Sequence, residues 1–228
     1  MRLVRPVVQS SSLQHVHVAG GEEYNVWGDR REFLTFIQSL PRMSYLGLEG
    51  GCIPLVNPND TTSPSRARFG HPNLRRLYLK DWAWRVFRFL EFVPLQTLDS
   101  LEFQANCTGG VSDIECRNPQ RVFQEFWKGR GEAPRSLAVF TSGSVLEIAL
   151  GQCQTPGHDA NVPLLKFAAA GFKETAQKAW ERLSRVLPLG EVKEVVHNFP
   201  PNSSSVNDTL RLVPRASHVI AKVAAGAL

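Results

Sequence analysis

Two histidines one residue apart, His15 and His17, are the first side chains in the chain equipped for chemistry. On an extended strand they project from one face, two residues' rise apart, and Glu49 joins them if its strand lies alongside. Zinc takes three or four ligands at about 2.0–2.3 Å, and no confident third or fourth ligand accompanies this pair. The histidines therefore read as solvated side chains, and neither a metal nor a cofactor is expected. A second candidate is the segment from Arg66 to Arg88, where seven basic residues stand against Asp81 alone. Phe69, Tyr78, Trp82, Trp84, Phe87 and Phe89 are interleaved with them. Cations that neutralise phosphates, beside rings that stack on bases, are the means of single-strand nucleic-acid binding. Helical spacing, however, assigns Val86, Phe87, Phe89 and Leu90 to a core, and leaves Arg85 and Arg88 on the wet side. Trp82 and Trp84, two apart, cannot both face that core. Catalytic signatures are missing: there is no Gly-x-Ser-x-Gly elbow, Walker loop, dinucleotide glycine set or His-Glu-x-x-His pair. Gly20-Gly21, Gly50-Gly51 and Gly109-Gly110 read as turns. An enzyme is not expected.

Composition narrows the class of protein further. Of 228 residues, 43% are apolar and 21% charged, which is ordinary for a folded domain and too apolar for wholesale disorder. The 26 Lys and Arg exceed the 21 Asp and Glu by only five, too few to demand a polyanionic partner. Cys52, Cys107, Cys116 and Cys153 form no Cys-x-x-Cys pair, so they read as reduced, partly buried thiols of a cytoplasmic or nuclear protein. The first twenty residues hold no secretory apolar run, and no stretch nears the ~18 apolar residues of a membrane span. Four Asn-x-Ser/Thr sequons, at Asn59, Asn106, Asn202 and Asn207, mean little without a secretory route.

The elements that must position these side chains repeat. Apolar clusters of the form L-x-x-L-x-L recur at 13–18, 40–48, 74–79 and 98–103, and the last places Asn106 near its end. Val16, Leu46, Leu77 and Leu101, taken as equivalent, are spaced by 30, 31 and 24 residues, and Val195 and Val219 by 24. The windows 40–48 and 213–221 share Pro, Arg and Ser at matching offsets, with apolar residues in the first, fourth, seventh and ninth places. Leu146–Leu150 reads as a further strand, and Leu137–Val139 as another strand or a rim segment. Between the clusters, helical spacing appears at 31–38, 83–92, 122–127 and 174–187, the second and fourth running into Pro94 and Pro188. Polar, proline-punctuated loops fall at 57–65, 107–119, 129–134 and 199–205. The stretch from Val111 to Phe172 fits the repeat worst.

Alternating apolar residues on a short strand point to one face, and parallel stacking merges them into one core beneath covering helices. The expected fold is therefore α/β: an irregular leucine-rich-repeat solenoid of six to eight rungs over residues 1–228. Its parallel sheet would form the concave face, with helices and loops outside. The intervening strand residues would line that face: His15 and His17, Tyr45 and Glu49, Arg76, Tyr78 and Lys80, then Ser100, Glu102 and Gln104. Later rungs would add Glu147, Val196, Asn198, His218, Ile220 and Lys222.

Leu40-Pro41-Arg42 running into Leu46-Gly47-Leu48, and Pro72-Asn73-Leu74-Arg75-Arg76-Leu77-Tyr78-Leu79 running into the next helix, resemble the leucine-rich-repeat region of fungal F-box-like proteins. The likeness covers most of 13–106 and returns at 174–224. It implies repeats that recruit a target to a ubiquitin ligase, while a separate F-box docks on a Skp1-type adaptor. No Leu-Pro-x-Glu-type F-box opening precedes Leu13. The expectation is a repeat module lacking an N-terminal cap or F-box, so adaptor binding by this chain is not expected. Function is then non-catalytic recognition of a protein whose identity the sequence does not give. The alternatives are a basic nucleic-acid-binding module on Arg66–Arg88, or a truncated product without independent function. No membrane partner is expected.

Overall fold

The computed structural model describes residues 12–21, 26–27, 30–55, 69–107, 119–131, 133–142, 144–152, 164–171, 176–199 and 204–222. Among these, nine strands form one open sheet: β1 (His15–Ala19), β2 (Tyr45–Glu49), β3 (Arg76–Trp82), β4 (Ser100–Asn106), β5 (Ser136–Ser142), β6 (Val145–Gly151), β7 (Leu165–Ala170), β8 (Glu194–His197) and β9 (His218–Ala221). Helices α1 (Arg30–Gln38), α2 (Ala83–Leu90), α3 (Pro119–Trp127), α4 (Ala176–Ser184) and α5 (Ser204–Leu212) connect them. The strand order is β1-β2-β3-β4-β7-β6-β5-β8-β9. The architecture is mixed α/β with a mostly parallel sheet.

Register follows the apolar pattern. Val16 pairs with Leu46, Leu46 with Leu77 and Leu77 with Leu101, as their equivalence in sequence requires. The row continues through Leu165, Leu150, Leu137 and Val195 to Val219. From Leu46 to Val195 every member of that row is at most 2% exposed. Below it, Phe103 and Phe167 meet with ring centroids 4.9 Å apart, and Phe123 of α3 closes on both. The helices cover this one side: Phe33 and Ile37 of α1, Val86 and Phe87 of α2, and Ala179, Trp180 and Leu183 of α4 join the same core. Among the described residues, no helix covers the other side of the sheet.

A hydrogen-bond signature repeats with the strands. At the start of β2 the amides of Ser44 and Tyr45 both donate to the Gln14 carbonyl. Arg75 and Arg76 do the same to Ser44, Asp99 and Ser100 to Arg75, Lys193 and Glu194 to Arg135, and Ser217 and His218 to Lys193. The two similar windows coincide in detail. Met43 and Ala216 donate to Leu40 and Val213, and the Ser44 and Ser217 hydroxyls reach Gln14 and Lys193 at 3.3 and 3.4 Å.

The structure corrects several expectations. The sheet is not parallel throughout, because β6 runs antiparallel to both its neighbours, β5 and β7. Only two residues separate Ser142 from Val145, which suffices for a hairpin, whereas a parallel return needs a crossover of a dozen or more. The chain then places β7 beside β4, so spatial and sequential order differ here. The expected loop at 199–205 runs into α5, whose Thr209 accepts from Trp180 Nε1 of α4 at 2.9 Å. Arg85 is not on the wet side. Its side chain is 11% exposed and pairs at 3.4 Å with Asp81, whose carboxylate is fully buried. Neither Trp82 nor Trp84 enters the core; both are half-buried.

Candidate functional site

Because side chains alternate along a strand, burying Leu46, Leu77 and Leu101 turns their neighbours to the uncovered face. The face residues expected from the first four strands, His15 through Gln104, lie there. His15, Tyr45 and Arg76 share one register row, and His17 and Tyr78 share the next with Glu102. Glu49, Lys80 and Gln104 share the third. His17 and Tyr78 are not direct neighbours; Gly47 of β2 stands between them. A side chain on Gly47 would meet His17 Nδ1 at 2.9 Å and the Tyr45 hydroxyl at 3.0 Å. The glycine thus lets these groups lie over the strand. The result is an aromatic platform, with His15–Tyr45, His17–Tyr45 and His17–Tyr78 centroids 5.8, 6.5 and 5.7 Å apart.

Two ion-paired clusters adjoin the platform. Glu49 receives His17 Nε2 at 2.9 Å and Lys80 Nζ at 3.5 Å. Glu49 therefore approaches His17, as a hydrogen-bond partner, while its ion pair is with Lys80. Among the described residues no group of three His, Cys, Asp or Glu side chains is placed to hold a metal ion. Farther along, Lys166 of β7 reaches Glu102 at 3.1 Å and Glu147 at 3.5 Å. Burial pulls the Lys166 pKa down, but bonding to Glu102 and the charges of both glutamates outweigh it and hold the pKa above its ordinary value. Around the platform, burial and then the Glu49 and Glu102 charges push the Tyr78 phenol up to about 12. Tyr45 shifts in the same direction, mainly through burial.

Beyond Lys166 the face turns small and apolar. One depression of about 450 Å³ lies over Ala168 and Ala170, between Lys80, Gln104, Asn106 and Val145. Another, of about 330 Å³, lies over Ala138 and Ala149, between Lys166, Glu194 and Val196. Lys166, Glu194 and the alanine floors escaped the sequence reading. Lys166 does occupy the middle of a Leu-x-Phe alternation, but the alanines after it carry too little contrast to mark a strand. Asn198, expected on the face, instead spends its amide on both backbone groups of Thr141, at 2.8 Å each, extending the pairing of β8 with β5.

The described cations of the basic segment do not all share one face: Arg76 and Lys80 stand on the sheet, Arg85 and Arg88 on α2. Arg66 and Arg68 lie outside the described residues. Arg85 is spent on Asp81 and Lys80 on Glu49, whereas Arg76, which shares the face with Lys80, forms no ion pair among the described residues. Among the described residues, no helix is long and apolar enough to cross a membrane. Neither Cys52 nor Cys107 is in a disulfide, and burial pushes Cys52 up to about 11, so it is not poised as a nucleophile. No family model, curated protein or solved structure matches this chain.

Proposed function

We propose that this chain is a non-catalytic protein-recognition module, built as an irregular leucine-rich-repeat-like array, whose uncovered sheet face binds a protein segment. The observation that carries the reading is the composition of that face. An aromatic platform, paired charges and alanine-floored depressions adjoin one another over nine strands, the mixture that protein interfaces use. In an F-box-type assembly, which the repeat pattern resembles, such a face would hold the target. Charge supports protein over nucleic acid. Among the described residues, Glu49, Glu102, Glu147 and Glu194 on the face balance Arg76, Lys80, Lys166 and Lys222, whereas phosphate tracking needs an uncompensated cationic stripe.

The test is to pan a displayed library of random twelve-residue peptides on the folded chain, and to titrate the selected peptides and a poly-dT oligonucleotide against salt. The expected result is micromolar peptides that lose no more than about threefold in affinity between 50 and 500 mM NaCl, with no measurable oligonucleotide binding. Absence of selected peptides, together with oligonucleotide binding that falls a hundredfold or more over the same range, would overturn the reading.

A further inference from the structure

The depression beside Lys166 has a composition of its own. Its floor is Ala138 and Ala149, its far wall is Val196, and its rim carries Glu194 and Lys166. The single cation on that rim is already engaged by two carboxylates, Glu102 and Glu147. Glu194 is half-buried, and among the described residues its carboxylate takes part in no ion pair or side-chain hydrogen bond. The nearest basic neighbour by register is His218 of β9, whose Nδ1 lies 3.0 Å from its own neighbour's hydroxyl, Ser217 Oγ. Counting the carboxylates that hold Lys166, three negative groups surround one positive group. This corner is therefore locally anionic on a chain whose formal net charge is +5.

An apolar floor with one uncommitted carboxylate at its edge suits a long side chain with a cationic tip. The methylenes of a lysine or arginine would cover the alanines while the head meets the carboxylate. We propose that the protein segment recognised by this face carries an arginine or lysine, read in this depression by Ala138, Ala149 and Glu194. The inference rests on the recognition reading and deepens it by naming the chemistry of the partner.

The experiment pans the same random peptide library in parallel on the wild-type chain and on Glu194→Lys, an exchange at a strand surface that leaves the core untouched. A third pool is selected on Ala168→Arg, which obstructs the face elsewhere. The wild-type pool is expected to show arginine or lysine at one aligned position at five times its library frequency or more, and the Glu194→Lys pool to lose that preference. For one enriched peptide, citrulline in place of arginine is expected to weaken binding about tenfold on wild type and less than twofold on Glu194→Gln. Peptides that need the face, being absent from the Ala168→Arg pool, yet show no basic position would overturn this inference and leave the recognition reading standing. A basic preference that survives Glu194→Lys would also overturn it. If no peptide depends on the face, both readings fail.

Discussion

At the scale of single residues, what distinguishes this face is how few polar groups are free. Glu49 is shared between His17 and Lys80, and Lys166 between two glutamates, so the platform and its charges form a pre-set pattern and less side-chain freedom is left to lose on binding. The Tyr78 phenol reports on that pattern. Burial comes first and the Glu49 charge second in raising it to about 12. A phenol whose folded pKa lies above its unfolded value contributes stability that is intact below about pH 10 and is lost as pH rises toward 12. A tyrosinate absorbance titration, compared with Tyr78→Phe, should therefore assign a late transition near pH 12 to Tyr78, and Glu49→Gln should move it down. A Tyr78 transition at the ordinary value of about 10 would mean that the phenol is neither buried nor beside Glu49.

At the scale of elements, the junction between β3 and α2 is the most constrained. Asp81 accepts from the Trp82 amide at 2.7 Å and pairs with Arg85 one turn into the helix, where the Arg85 Nε is itself buried without a partner. Removing one member of a buried pair strands the other's charge. Asp81→Ala should cost about 3 kcal/mol or more in urea unfolding, and Asp81→Ala with Arg85→Met should recover most of it. Equal stability of the two variants would contradict this account of the junction. The same elements show what the sequence revealed and what it hid. Strands with leucine at every second position, such as Leu77–Leu79 and Leu101–Phe103, declared both their existence and their register, because a one-residue slip would expose the whole set. β7 was hidden, since Ala168, Ala169 and Ala170 look alike on either face. The reversal of β6 was encoded in connection length, a signal that apolar spacing does not contain. α5 was obscured by the polar run at 202–208, and its burial depends on Trp180, a long-range contact. Of the candidate site, the residues from His15 to Gln104 were placed by alternation alone, whereas Lys166 and Glu194 required knowing which strands are neighbours.

At the scale of the whole molecule, one row of side chains fixes both sides of the sheet. The buried row from Leu46 to Val195 gives the helices their apolar partner, and its alternates line the opposite face, the one proposed to bind a protein segment. Among the described residues the charges of that face balance, so the formal net charge of +5 does not by itself predict the partner. The most direct test of the central claim, that the uncovered face is where a protein segment binds, is the affinity of a selected peptide for three single variants. Ala149→Arg and Ala168→Arg place a bulky cation on the face, whereas Glu125→Arg places one on α3, on the helical side. Each face variant should weaken binding tenfold or more while Glu125→Arg leaves it unchanged; binding indifferent to both face variants, or lost only in Glu125→Arg, would contradict the claim.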